Sequence, residues 1–244
     1  MRLRTLELPV DGLPAELDGL RIAHLSDFHL GMPSLGARAS ARAVAWVVER
    51  KPDLVCITGD LVSRHRGEAQ LADLLRRLPE DMYVVLGNHD FAISRDPFSQ
   101  PAQLVDLARG RLLFDEAVEA ELRGVSVEIA GVDPRSWLAK KASGFGPATE
   151  PFRLLLCHFP TVLDRVEDGR WHLILAGHLH AGQIVLPYGR RGRLLLAHPR
   201  SKYRAGVYRR GTTAMHVSPG LGTTFIPFRF FARPEVTELV LRSR

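Results

Sequence analysis

Eight side chains able to hold a metal ion or move a proton stand at the far ends of five apolar runs, each where the run gives way to a polar loop. Asp27 and His29 follow the first run, Asp60 the second, Asn88 and His89 the third, His158 the fourth, and His178 with His180 the fifth. In open α/β sheets, sites assemble at the carboxyl ends of strands. One such Asp or His is usually a cap or turn residue; eight at five strand ends point to a shared site. Carboxylate, imidazole and amide donors suit divalent manganese, iron or zinc, being harder than thiolates and softer than an all-oxygen magnesium cage. They are too many for one ion. A carboxylate can bridge two ions about 3.5–4 Å apart, and such a pair orients a phosphoryl group and activates water. Asp60, central in the order, is the expected bridge. Gly59, Gly87 and Gly177 each stand just before one of these residues, where a small residue lets the chain turn sharply into the site.

The elements that must carry these residues follow from periodicity. Strands are predicted over Arg21–Ser26, Asp53–Thr58 and Met82–Leu86. Between them lie a helix over Leu35–Arg50, with Val44, Val47 and Val48 on its apolar face, and a second helix marked by the stripe Leu71, Leu74, Leu75 and Leu78. Further strands are expected over Val125–Ala130, Phe152–Cys157, Leu173–Ala176, Gln183–Leu186, Thr212–Val217 and Val236–Leu241, contributing a second sheet. Phe145–Pro151 and Pro187–Gly192 read as loops. No repeat and no domain boundary is visible, so residues 1–244 read as one α/β domain of layered sheets and helices.

The five segments LSDFHLG, LVCITGDLV, VVLGNHD, LLLCHFP and ILAGHLHAGQI resemble the five blocks of the calcineurin-like metallophosphoesterases. The resemblance runs from about Arg21 to the C-terminus. The later segments Gly206-Val-Tyr, Val217-Ser-Pro-Gly-Leu-Gly-Thr and Arg233-Pro-Glu-Val are similar to the tail of the subgroup of transmembrane and envelope metallophosphoesterases, which includes hydrolases of UDP-2,3-diacylglucosamine, a lipid A precursor. The resemblance implies a four-layer α-β-β-α sandwich of two mixed sheets flanked by helices. It also implies two divalent ions, manganese ahead of iron or zinc. One would be held by Asp27, His29, Asp60 and His180, the other by Asp60, Asn88, His158 and His178. His89 would protonate the leaving oxygen or stabilise charge, with Asp90 placed to orient its ring, while a metal-bridging hydroxide attacks phosphorus in line. Leu179 and Ala181 stand where Thr and Gly are commoner, and Cys157 and Phe159 where Ser and Asn are. No ligand is lost, but the wall around His158 and His178 becomes more apolar.

Composition narrows the class without deciding it. With 45% hydrophobic and 25% charged residues over 244 positions, disordered, collagen-like and coiled-coil readings are excluded. The first 14 residues lack the apolar core of a signal peptide and no apolar run is long enough to cross a bilayer, so a cytoplasmic or peripheral membrane location is expected. Cys56 and Cys157 read as small buried hydrophobes rather than a disulfide. The net charge is +6, yet residues 169–234 hold eleven Lys and Arg and no acidic residue, leaving the remainder at −5. That suggests a phosphorylated small molecule or lipid, or an anionic membrane surface, as partner. A nuclease is the weaker reading of the same chemistry, since no stacking-aromatic motif accompanies the charge. A non-catalytic interaction module is the alternative from another class. Phe225, Ile226, Phe228, Phe230 and Phe231 read first as a buried edge of the core and second as a surface for acyl chains. His24, His65, His172 and His216 are expected to be core or surface residues; His198 is the one with a substrate contact to test.

Overall fold

A computed structural model of the chain describes residues 1–91, 93, 96–97, 99–100, 104, 107–140, 150–188, 192–195 and 201–244. The first half runs through β1 (Arg2–Val10), β2 (Arg21–Leu25), α1 (Gly36–Arg50), β3 (Leu54–Thr58), α2 (Glu68–Arg77), β4 (Met82–Val85) and β5 (Arg111–Leu112). The second half runs through β6 (Glu116–Leu122), β7 (Val125–Gly131), α3 (Pro134–Leu138), β8 (Phe152–Leu156), β9 (Leu173–Ala176), β10 (Val185–Tyr188), β11 (Gly192–Leu195), β12 (Gly206–Arg210), β13 (Thr213–Val217) and β14 (Glu235–Ser243).

Strand β3 shows why the sandwich forms. All five of its residues are buried; Leu54 and Cys56 enter one apolar cluster while Val55 and Ile57 enter another. A strand apolar on both faces needs cover on both. One cluster lies between the sheets, where Leu54 and Cys56 meet Leu154, Leu156, Leu173 and Leu175. On the outer face of the first sheet, Val55 and Ile57 join Ala43, Val44 and Val47 of α1 and Leu71, Leu74 and Leu75 of α2. Val48, expected on that helix face, is exposed instead, and Ala43 takes the inward position. Leu155 and Ile174 face the outer side of the second sheet beside Trp137 of α3 and Val162. The layers are therefore helix, sheet, sheet, helix, the fourth being thin among the described residues.

The first sheet has the order β1-β14-β2-β3-β4-β5 and the second β12-β13-β9-β8-β7-β6. Both are mixed. Strands β2, β3 and β4 are mutually parallel, as are β7, β8, β9 and β13, so several strands of each sheet deliver their carboxyl ends to one edge. The C-terminal strand corrects the expectation that all later strands build the second sheet. β14 inserts between β1 and β2, pairing parallel with one and antiparallel with the other. Its apolar residues Val236, Leu239 and Leu241 find inward positions there, and β1, a strand not anticipated from the sequence, becomes the edge.

One loop expectation also changes. Residues 187, 188 and 192 belong to the β10–β11 hairpin, and residues 189–191 lie outside the described set, as do 145–149 and His198. The aromatic stretch is not a buried core edge: Phe225, Ile226, Phe228, Phe230 and Phe231 are 39–68% exposed. Both cysteines are buried thiols. The acid-free segment is partly neutralised by acids from elsewhere, since Arg170 pairs with Glu128, Lys202 with Asp164 and Arg209 with Asp11. No helix among the described residues is long and apolar enough to cross a membrane.

Candidate metal centre

Where β2 and β3 end, their continuing loops stay hydrogen-bonded: the N–H of Asp27 donates to Gly59 O at 2.9 Å and that of His29 to Asp60 O at 2.9 Å. From the second sheet, the N–H of His178 reaches Asp27 Oδ1 at 3.1 Å. These turns are tight enough that Asp27, His29, Asp60, His178 and His180 all have positive φ, between 48° and 76°. Asp and His enter this region more readily than most residues, yet it is strained, and such strain gathers at functional sites. Ala181 shares it at φ 52°.

The three glycines serve in different ways. Gly59 turns with φ +86°. Gly87 and Gly177 matter for closeness, because a Cβ on Gly87 would land on Asp60 Oδ1 and one on Gly177 on Ser26 Oγ and Asp27 Oδ2.

Two donor groups result. Ligand atoms of Asp27, His29, Asp60 and His180 lie within 4.8 Å of one another, as do those of Asp60, His158 and His178. Asp60 belongs to both. His158 Nε2 is 3.2 Å and His29 Nε2 3.4 Å from Asp60 Oδ2, and His180 Nε2 is 3.4 Å from Asp27 Oδ1. Asn88 donates through Nδ2 to Ile93 O at 3.2 Å. Its Oδ1 is buried without a partner among the described residues, and so is Asp60 Oδ2.

Proton accounting explains the orphaned carboxylate oxygen. Arg229, a donor only, places Nη2 2.9 Å from His180 Nδ1. A neutral His180 therefore carries its proton on Nε2, donating to His29 Nε2 at 3.1 Å, and His29 Nδ1 donates to Ser63 Oγ at 2.8 Å. On the other side His158 Nδ1 donates to Thr58 O at 2.8 Å, so its Nε2 accepts from His178 Nδ1 at 3.1 Å. With these rings neutral no proton is left for Asp60 Oδ2; only an added positive charge, a second proton on His158 Nε2 at 3.2 Å or a cation, satisfies it. Unsatisfied buried acceptors are costly, and positive charge at the centre removes the cost.

The electrostatics agree. Burial lifts Asp27 to about 7, with His158 pulling it down and Asp60 pushing it up. Burial also raises Asp60, but the imidazoles of His158, His89 and His29 outweigh it and hold Asp60 well below the ordinary carboxylate value. His29 and His180 are kept well below the ordinary imidazole value, first by burial. His158 behaves differently: burial lowers it, but the charge of Asp60 overcomes burial and lifts it to about 9. In the metal-free fold it therefore holds a second proton on Nε2, 3.2 Å from Asp60 Oδ2, in the place a cation would take. Clustered nitrogen and carboxylate donors, the buried oxygens of Asp60 and Asn88, and the neutral imidazoles of His29 and His180 together fit a divalent metal site.

His89 lies at the rim, 5% exposed, its N–H donating to Asp60 Oδ1 at 2.9 Å. The expected pairing of its ring with Asp90 is not what the geometry shows. Asp90 accepts from the N–H groups of Leu61, Val62 and Gly87 at 2.8–3.0 Å, which makes it a latch between two strand-end loops. The groups beside His89 Nδ1 are Ser99 Oγ at 2.7 Å and Asp96 Oδ2 at 4.0 Å. Phe159 packs edge-on against both His158 and His178, the apolar wall anticipated from the sequence.

Several supporting residues escaped the sequence reading. Gln183, inside the fifth block, and Arg229, a lone cation among phenylalanines, were the two with a visible signal; Ser63, Asp96 and Ser99 had none. His24 and His216, expected to be ordinary core residues, form a directed chain beneath the site. Ser26 Oγ donates to Thr58 O, so it accepts from Thr58 Oγ1. Thr58 Oγ1 then accepts from His24 Nε2 at 2.9 Å, and His24 Nδ1 accepts from His216 Nδ1 at 2.8 Å. Because Thr58 O is also the partner of His158, the chain ties the second sheet to a donor of the site.

Comparison with known proteins gives a consistent result. A family profile described as calcineurin-like phosphoesterase matches residues 20–182. A Bacillus subtilis protein named uncharacterized metallophosphoesterase YkoQ is 31% identical over 93% of this chain and 85% of its own length. The Danio rerio transmembrane protein with metallophosphoesterase domain is 32% identical over 98% of this chain, which spans only 56% of that relative. Escherichia coli phosphodiesterase YaeI is 28% identical over 82% of this chain and 74% of its own.

Proposed function

The chain belongs to the calcineurin-like phosphoesterase family and is a hydrolase of phosphoester bonds; on that footing we propose a phosphodiesterase or pyrophosphatase with a dinuclear centre. Asp27, His29, Asp60 and His180 would hold one divalent ion, and Asp60, Asn88, His158 and His178 the other. The observation that carries this reading is the sharing of Asp60 between two donor groups, with its Oδ2 buried and unpartnered. Such ions, when bound, polarise phosphoryl oxygens and make water nucleophilic at neutral pH.

The chain's own residues do the rest. Oδ1 of Asp60 is committed to the N–H of His89, which leaves Oδ2 directed to the centre. His158 is oriented by Thr58 O, His29 by Ser63 and His180 by Arg229, the outer contacts that fix the rings of ligating histidines. As water adds to phosphorus opposite the leaving oxygen, the P–O bond to that oxygen breaks and His89 supplies its proton. Ser99 and Asp96, not Asp90, hold the His89 ring for this. General acid catalysis of this kind contributes about 10²–10⁴-fold.

The proposed substrate is amphiphilic, a lipid-linked pyrophosphate such as UDP-2,3-diacylglucosamine, with manganese as the first metal to test. The similarity of the C-terminal segments and the exposed phenylalanines near the site support it. The test is cleavage of that compound, and of bis(p-nitrophenyl) phosphate, by manganese-loaded protein with Asp60→Ala as control. Turnover and bound metal should both vanish in Asp60→Ala. A variant that keeps both removes the bridging role, and a loaded wild type that cleaves only the soluble diester removes the lipid substrate.

A further inference from the structure

The segment Phe225–Phe231 combines a fixed backbone with exposed apolar side chains. Gln183, 4% exposed, holds it from below: Nε2 donates to Thr224 O at 2.7 Å and Ile226 O at 3.1 Å, and Oε1 accepts from Thr224 N at 2.9 Å. Asp96, equally buried, accepts from Phe225 N at 3.0 Å. Arg229 turns inward and donates to Gly222 O and Pro219 O, each at 2.7 Å. Phe230 is pinned through its backbone to Gln183 and Val185. Four phenylalanines and an isoleucine nevertheless face solvent, with Leu186 exposed on the adjoining strand. A loop held this firmly could have been built with polar side chains; contiguous apolar exposure marks a contact surface.

Charge identifies what the surface meets. A cavity of about 600 Å³, with Phe231 in its lining, is also lined by Arg2, Arg4, Arg204 and Arg233. The one acidic residue among its described lining, Glu235, is buried and already paired with Arg2 and Arg4. Exposed phenylalanines beside arginines, in a segment without acidic residues, match an anionic lipid leaflet, which offers an apolar interior under a layer of phosphates. A second copy of the chain fits poorly, because a two-fold contact across this patch sets its arginines against their own counterparts.

We propose that Phe225, Phe228 and Phe231, with Arg233 and its neighbours, dock the protein on anionic membrane surfaces. The docking loop also reaches the site: Arg229 contacts His180, and Asp96 holds both the loop and the surroundings of His89. Docking thus puts the centre beside lipid headgroups. This deepens the lipid-substrate reading, but it stands on the surface alone and has its own test.

The test is co-sedimentation of the full chain with phosphatidylcholine vesicles carrying phosphatidylglycerol, against vesicles of phosphatidylcholine only. Wild type should bind the anionic vesicles, more weakly as salt rises. Phe228→Ser with Phe231→Ser should lower binding roughly tenfold or more, from the apolar area withdrawn from lipid, and Arg233→Gln should lower it for anionic vesicles in particular. Both variants should cleave bis(p-nitrophenyl) phosphate in vesicle-free solution like wild type. The proposal falls if wild type ignores anionic vesicles, if the double Phe variant binds them equally, or if light scattering shows a dimer that this variant dissolves. Vesicle binding without diester cleavage supports the docking surface and counts against the phosphodiesterase reading instead.

Discussion

His216 makes the stability of this protein sensitive to acid in a way that can be isolated. The side chain is fully buried on β13, and burial, with a smaller contribution from Arg4, lowers its pKa from 6.5 to about 3. Above pH 6.5 the ring is neutral in both folded and unfolded chains, and its contribution is complete. As pH falls below 6.5 the unfolded chain takes up a proton that the folded chain refuses, so stability is lost continuously down to about pH 3. Each pH unit in that window costs about 1.4 kcal/mol, which amounts to about 2 kcal/mol at pH 5 relative to pH 8. His216→Asn keeps a donor for His24 Nδ1 and removes the titrating group. Urea unfolding of both proteins at pH 8 and pH 5, with chelator present throughout, measures the difference: titrations away from the substitution cancel, and the adjoining His24 is kept far below 6.5 first by its own burial. Wild type should lose about 2 kcal/mol more than the variant. Equal losses would show that His216 is protonated in the fold, and the donor directions assigned to the His216–His24–Thr58 chain would be wrong.

Ala181 occupies left-handed backbone at φ 52°, so Ala181→Gly should raise unfolding free energy by about 1 kcal/mol, read from denaturant midpoints. His89→Ala should retain full metal content by elemental analysis while losing about 10²–10⁴ of kcat; loss of metal would move His89 into the ligand set. A Cβ at Gly87 collides with Asp60, so Gly87→Ala should reduce metal retention and turnover together, and a variant with normal metal affinity would contradict the packing described.

The strand-end residues were legible because they are local. An apolar run followed by a polar residue fixes where a strand stops, and the order of the runs fixes that several stop at the same edge of a parallel arrangement. That sufficed to bring these residues to one site with Asp60 as the expected bridge. Their division into two sets was implied by the family resemblance, and the structure gathers Asp27, His29, Asp60 and His180 in one donor group and Asp60, His158 and His178 in another. Strands β3 and β9 were equally plain, since both faces of each are apolar, and β8 nearly so, with Arg153 its one charged residue. Asp90 shows the limit. Its place next to His89 suggested a partner for that ring, but chain neighbours need not point the same way, and its oxygens are spent on three backbone N–H groups.

By itself, then, the sequence determined the chemistry: which donors exist, at which strand ends, and that they suit a divalent metal and a phosphoester. Tertiary structure alone decided what supports and surrounds them. It set β14 between β1 and β2, brought Arg229 to His180 and Asp96 to Phe225 across 49 and 129 residues of chain, and left the phenylalanines of the 225–231 segment uncovered. Residue type and spacing record local preference, whereas register between distant segments, and whether another element covers a given face, follow from how the whole chain packs.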